Sequence, residues 1–301
     1  MKFLKGFALF ILGSLLFLSL STFGIAFMLN QTILNPDFIV YQVNRIDISS
    51  LAEDMLSEQI PQEGEEFMGQ ELMWVVVSDT VAENEQWLKD QAADAAYSLY
   101  DYLEGRSQSL SLVVSLEPVK QDLRENLREA FLQSLPPELE ILPPAEIERY
   151  FDEYYQQVSQ EIPSTFELNE ASLGAEGTAL LEQTREIVGY VNLSYTALIG
   201  IILLLILLII LVNREVRGST RGIGANFLTC GILGFLSVFA AEKMSGTLLA
   251  EANMPPYLET WMPQFLSDTL APLAMYSAGL AAVGVILLIV SFAYKPRQPS
   301  F

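Results

Sequence analysis

The chain has 301 residues, 51% of them hydrophobic, yet it carries 37 acidic against 16 basic side chains and a net charge of −21. With no histidine and a single cysteine, it excludes histidine-based zinc sites, histidine general bases, Ser-His-Asp triads, cysteine-cluster metal sites and any intramolecular disulfide. Apolar content and net charge this high together call for two segregated parts, one apolar and one acidic.

Four apolar runs carry the grease. They are Phe7 to Leu29, Leu193 to Val212, Ile223 to Ala241 and Leu273 to Tyr294. Each reaches the ~20 residues that a helix needs to cross ~30 Å of hydrocarbon. Backbone groups find no water partner in lipid, so each run is expected to be a helix. The first run follows Lys2 and Lys5, a suitable n-region for a signal peptide. Its length favours a retained anchor, because signal h-regions are usually ~7–15 residues; the small-residue stretch SLSTFG leaves cleavage open. Asn30-Gln-Thr and Asn192-Leu-Ser match the glycosylation pattern but lie against or within spans, and are read as chance.

Lysine and arginine placement sets the expected orientation. Lys2, Lys5, Arg214, Arg217, Arg221, Lys295 and Arg297, against the single acid Glu215, fall on one side. Residues 31–189 carry 32 acids and 8 bases, and residues 242–272 carry 4 acids and 1 base. The expected organisation is therefore a multi-pass cell-membrane protein with both ends in the cytoplasm. Residues 1–30 hold the N-terminus and first span, 31–189 an acidic extracytoplasmic domain, and 190–213 the second span. A basic cytoplasmic link (214–222), the third span (223–241), a second outer segment (242–272), the fourth span (273–294) and a cytoplasmic tail (295–301) follow. The fold class is mainly α: a four-helix transmembrane bundle with a large, α-rich and minor-β domain inserted between spans 1 and 2.

Within 31–189 the periodicity is helical. Ser50-Leu-Ala-Glu53 matches a capping box opening a short helix to about Ile60. From Glu85 to Glu104, Leu88, Ala92, Ala95, Leu99 and Tyr102 form one stripe, with Gly105 as C-cap. Leu110, Leu112, Val114 and Leu116 alternate with mostly serine, the mark of a half-buried strand, for which Phe38–Val43 or Met73–Val77 could be partners, the latter fitting a helix as well. A helix starts near Pro118 with Val119, Leu123, Leu127, Ala130 or Phe131 and Leu135 inward, and another covers 145–161 with Ile147, Phe151, Tyr154, Tyr155 and Val158 inward. Residues 163–177 read as loop. From about Thr178 a helical pattern runs straight into the second span, which would transmit movement between domain and membrane.

Candidate chemistry is sparse. The chain has no Walker lysine loop, no Asp-x-Asp-x-Asp-Gly calcium loop and no charge deep in a span. Gly222-Ile-Gly224 starts a glycine-rich turn but lacks a preceding strand. Adjacent acids such as Asp152 and Glu153 point in different directions on a helix and make poor catalytic dyads. The expectation is no catalytic, cofactor or metal site, no cofactor and no nucleic-acid partner. In the third span Cys230, Gly234, Ser237 and Ala241 recur at 4, 3, 4; in the fourth Ser277, Ala281 and Gly284 do likewise. Such small stripes let helices approach closely, within the chain or between copies. Tyr257, Trp261 and Phe265, spaced by four, share one helix face if the Pro263 break is mild; they are candidate interfacial anchors or, equally, a stripe that docks under the large domain.

The functional expectation is a non-enzymatic interaction, sensing or scaffold role within a membrane assembly. Its partners would be membrane lipid and either another protein or further copies, engaged through spans 3 and 4 or through the outer domain. Two alternatives stand beside it. One is a homo-oligomeric channel, since an acidic vestibule concentrates cations. The other is a mechanical, permease-like subunit. A large outer domain after span 1 followed by three close spans resembles, in topology alone, the cell-division and macrolide-exporter ABC permeases. Asn213-Arg-Glu-Val-Arg-Gly is similar to their charged stretch after the second span, on a shorter inner link.

Overall fold

A computed structural model describes residues 2–51, 70–135, 139, 141–251 and 256–293. It is mainly helical. The elements are α1 (Lys2–Gln31), α2 (Pro36–Val43), α3 (Gln70–Glu83), α4 (Glu85–Leu103), β1 (Ser111–Ser115), α5 (Glu117–Gln133), α6 (Pro144–Glu161), β2 (Thr165–Asn169), α7 (Glu170–Asn213), α8 (Val216–Glu251) and α9 (Pro256–Ala293). Two compact units result. One comprises residues 1–38, 184–254 and 262–301, the other residues 39–183 and 255–261.

The first unit contains four helices long and apolar enough to cross a membrane: α1, α7, α8 and α9. Their lengths of 30, 44, 36 and 38 residues all exceed what a bilayer takes. All four contribute to one core of Leu16, Leu20, Leu205, Ile209, Ile223, Cys230 and Leu280. Most of the other leucines and isoleucines of α7, such as Leu203, Leu204, Leu207 and Leu211, stay exposed. In water that would be costly; facing lipid it is the favourable arrangement. Residues 242–251 and 256–272 are helical, extending α8 and α9 past the apolar runs, and Pro263 and Pro272 lie inside α9.

The second unit packs α3 against α5 and α5 against α6. Val76, Leu123, Leu127, Ala130, Phe131 and Phe151 form its core, flanked by Leu72, Met73, Leu135, Ile147, Tyr154, Tyr155 and Val158. The residues of α5 and α6 among them are inward positions expected from the helical stripes of 117–135 and 145–161, whereas Val119, also expected inward, is half-buried beside this core. Helix α4 ends as its sequence indicates. Glu104 is the last right-handed residue, and Gly105 takes φ 76° while its N–H donates to the Tyr102 carbonyl.

The strand partner differs from both candidates. β1 pairs antiparallel with β2, Ser111 opposite Asn169 and Ser115 opposite Thr165, in the stretch read as loop. Phe38–Val43 is instead helical because Asn35 caps it: the Asn35 Oδ1 accepts the Asp37 N–H at 3.0 Å, with Pro36 at the first helical position. Met73–Val77 is helical because Leu72, Met73, Val76 and Thr80 turn one face into the second unit. The helix expected from Ser50 is capped three residues earlier. Asp47 accepts the Ser50 N–H at 3.1 Å and its hydroxyl at 2.8 Å; Glu53 and the rest of that helix lie outside the described residues.

Helix α7 has one break, at Gly174, whose φ of 68° and ψ of 179° suit only glycine. Asn169 and Ser172 exchange hydrogen bonds across the turn before it. Beyond Gly174 the helix continues to Asn213 without a second non-helical residue.

Candidate functional site

The sequence-derived packing stripes can be followed residue by residue. On α9, Ser277, Ala281 and Gly284 all meet α8. A Cβ at Gly231 would stand 2.5 Å from the Ala281 nitrogen and 2.6 Å from the Ser277 carbonyl oxygen. One at Gly284 would stand 2.5 Å from the Leu228 nitrogen. Gly234 faces the Ser277 hydroxyl, and Gly224 faces the Gly284 carbonyl. The α8 face at this crossing is therefore Gly224, Leu228, Gly231 and Gly234. Cys230 looks toward α1 instead, its sulfur 3.5 Å from the Ser21 hydroxyl. Ser237 is exposed and bonds back to the Leu233 carbonyl at 2.8 Å, and Ala241 is half-buried. The crossing lies within one chain, and glycine lets the two backbones touch.

One end of the bundle is aromatic. Phe23 stacks on Tyr195 at 5.2 Å and tilts against Tyr276 at 5.7 Å, and the Tyr276 hydroxyl donates to the Leu20 carbonyl at 2.9 Å. The two asparagines of the glycosylation patterns meet here: Asn30 donates to the Asn192 Oδ1 at 3.3 Å. Of the candidate anchors, Phe265 packs against Phe38 at 6.0 Å and Trp261 is half-buried. Tyr257 lies in α9, and its side chain is outside the described residues.

The other end is basic. Lys5 donates to the Asn213 carbonyl at 2.9 Å, satisfying an orphan acceptor at the C-terminus of α7. The chain then reverses through Arg214, at φ 55°, and Glu215 into α8. The basic link is thus mostly helix, beginning at Val216. Beside this turn lies a cavity of about 340 Å³ lined by Leu9, Gly13, Ile209, Asn213, Arg221 and Asn226 together with glycines of α8.

The second unit is organised by its few cations. Residues 39–183 contain seven, and each has a partner inside the unit. Arg45 lies over the Tyr41 ring, and Lys89 pairs with Glu85 at 2.6 Å. Arg106 pairs with Asp101 and Glu104, and Lys120 donates to the Ser159 and Ile162 carbonyls. Arg124 pairs with Asp152 at 2.7 Å and lies over Phe151 and Tyr155. Arg128 grips Glu148, and Arg149 reaches Glu153 at 4.0 Å. Beneath them Asn84 bridges Thr80 on α3 to Asp122 on α5, at 2.9 and 2.8 Å, and Asn126 returns the bridge to Thr80 and Glu83. Burying such amides is tolerable because they are paired.

Among the described residues, two carboxylates titrate below the ordinary range. Hydrogen bonds from Ser50 hold Asp47 down, and the Arg128 guanidinium holds Glu148 down. A lowered folded pKa adds stability above the unfolded value and loses it as pH falls through the folded one. Both groups are exposed, so each contribution is small. At neutral pH, Asp47→Ala is expected to cost ~1 kcal/mol through the lost cap. Asp47→Asn keeps the cap but removes that group's share of the acid loss. Chemical denaturation at pH 7 and pH 3.5 separates the two; equal behaviour of Asn and Ala at pH 7 would contradict the capping role.

Among the described residues no three of Asp, Glu or Cys come together as a metal site. No family model, curated protein or solved structure matches the chain. The element that sequence reasoning passed over is the basic cavity. Its signal was legible in part: Arg221 and Asn226 lie about a turn and a half apart on a helix that also carries Gly218 and Gly222.

Proposed function

We propose that the chain is a multi-pass membrane protein whose acidic domain, held outside the cytoplasm, binds a cationic protein partner without catalysing a reaction. The observation that carries this reading is the engagement of all seven cations of residues 39–183 inside the unit. Against thirty acids in the same stretch, the field offered to a partner is negative, which steers and selects cationic surfaces. Exposed apolar groups at the two-stranded sheet, Val113 at 59% and Phe166 at 52%, add contact area to that field. Helix α7 supplies residues to both units without a break after Gly174, a physical link through which binding could be relayed. The packed apolar core of the four helices favours this role over a pore within one chain.

Two experiments test the reading. In a Cys230→Ser background, Gln108→Cys is expected to react with a membrane-impermeant maleimide on intact cells. Ser300→Cys is expected to react only after lysis. The opposite pattern overturns the orientation. Mass photometry after affinity purification in mild detergent is then expected to find an unlike chain in fixed ratio, released as ionic strength shortens the Debye length from ~10 Å to ~3 Å. A bare monomer under several solubilisation conditions, or a complex indifferent to salt, overturns the partner.

A further inference from the structure

We propose that the cavity at the basic end of the bundle is a binding site for the phosphate headgroup of an anionic phospholipid, with Arg221 as its principal ligand. The inference rests on the four-helix unit lying in a membrane, and not on the partner-binding reading.

The cavity opens between α1, α7 and α8. Its volume of about 340 Å³ falls in the range of small-molecule pockets, ~300–1,000 Å³. Three glycines keep it open: Gly13, Gly218 and Gly222 all line it, and a Cβ at Gly222 would meet nothing within 4 Å. Arg221 lines the cavity, and among the described residues its guanidinium has neither an ion-pair nor a hydrogen-bond partner. This sets it apart from the cations of the second unit, every one of which is engaged. Arginine presents five donors in a fork that matches phosphate oxygens. Asn226 spends one amide hydrogen on the Gly222 carbonyl at 3.1 Å, which leaves a second donor on the cavity wall. Lys5 is held close by, at the Asn213 carbonyl.

The lining is also amphiphilic, which bears on the source of the phosphate. Along α1 the lining runs from Leu9 to Gly13, four residues or ~6 Å of helix. The lining combines Arg221 with the apolar Leu9, Ile209 and Ala225, and the Asn226 amide stands against Gly13. A free phosphate ion would leave the apolar side chains of Leu9, Ile209 and Ala225 uncovered. A phospholipid covers them with glycerol and the first methylenes of its chains. Basic pockets between transmembrane helices at a cytoplasmic face take anionic headgroups for the same reason.

The test uses the full chain in mild detergent and native mass spectrometry. The probes are dioleoyl phosphatidylglycerol and dioleoyl phosphatidylcholine, which share acyl chains. Retention of one phosphatidylglycerol per chain, well above phosphatidylcholine, is expected. Arg221→Gln is expected to lower that retention about fivefold. Gly222→Leu, which fills the cavity and removes no charge, is expected to lower it at least as much. Arg217→Gln removes an equal charge outside the cavity and is expected to leave retention unchanged. Burial of Cys230 against maleimide verifies that each variant is folded, and the comparison of the two lipids on the unaltered chain needs no variant. Equal retention of the two lipids overturns the site, as does an Arg217→Gln effect equal to that of Arg221→Gln or indifference to Gly222→Leu. Displacement of the lipid by millimolar inorganic phosphate overturns the lipid as the source.

Discussion

Gly231→Leu will open the four-helix bundle at a temperature on the order of 8 °C below that of the unaltered chain. The size follows from what already occupies the space. A Cβ at Gly231 would lie 2.5 Å from the Ala281 nitrogen, 2.6 Å from the Ser277 oxygen and 2.9 Å from the Ala281 Cα. These are backbone atoms, which cannot rotate away as a side-chain tip can. Ordinary carbon contacts need about 3.5–4.0 Å, so the two helices must separate by about 1 Å for alanine and more for leucine. Separation forfeits packing along the whole crossing, including the reciprocal contact of Gly284 with Leu228 and Gly224. Overpacking costs ~1–3 kcal/mol, and the upper end applies because the obstacle is backbone. That energy corresponds to roughly 6–12 °C for a unit of this size. Cys230 is the only cysteine and is buried in the bundle, so its reaction with a fluorogenic maleimide on heating reports the opening directly. Gly279→Leu is the control: it lies on the same helix as Gly284, and a Cβ there meets nothing within 4 Å. An equal drop for Gly279→Leu would show that helix composition, rather than close approach, is responsible.

Phe131→Ala will loosen the second unit while leaving the bundle intact. Phe131 is 1% exposed and packs at 5.6 Å on the Phe151 ring and at 6.4 Å on Tyr154. Phe151 in turn stacks on Tyr155, with Arg124 over both rings. One truncation therefore removes the centre of an aromatic stack that joins α5 to α6. Phenylalanine-to-alanine changes in cores cost ~3–5 kcal/mol, a large part of the ~5–15 kcal/mol that holds a domain together. Amide exchange through opening of the unit should accelerate on the order of a thousandfold, at 1.4 kcal/mol per decade. Hydrogen-exchange mass spectrometry should locate the change in peptides from 70–83, 117–133 and 144–161, with those of α1, α8 and α9 unaffected. Equal acceleration in both sets would mean that the units do not hold separate cores. Phe131→Leu, which keeps most of the volume, should recover much of the protection.

Much of the fold was legible because its signals are local. The four spans appear as uninterrupted apolar runs. The stripe Leu123, Leu127, Ala130 and Phe131 identifies the buried face of α5 from spacing alone, and Gly105 ends α4 where its freedom at positive φ is needed. The errors at 36–43 and 47–51 were also local. Asn35-Pro36-Asp37 carries a cap and a helix-starting proline, but the apolar alternation after it reads equally as strand. Asp47 and Ser50 are both good caps, and the first to reach a free N–H wins. The pairing of β1 with β2 was not legible. Thr-Phe-Glu-Leu-Asn has too few apolar residues to announce a strand, and its partner lies fifty residues earlier.

Amino-acid composition and order by themselves determined that this protein has four apolar helices, a segregated acidic stretch, and neither a histidine nor a second cysteine for chemistry. These properties depend on counts and on neighbours within a turn or two. Tertiary structure alone decided which face of α8 meets α9. Small residues recur in two stripes of that helix that share Gly234, one through Cys230, Ser237 and Ala241 and one through Gly224 and Gly231, and only the position of the α9 backbone at Ser277 and Ala281 selects between them. It also decided that Asn30 binds Asn192, 162 residues away, and that Arg221 borders a cavity instead of an acid. A cavity is the space left when three helices, two of them carrying glycines there, come together, and no single stretch of chain contains that information.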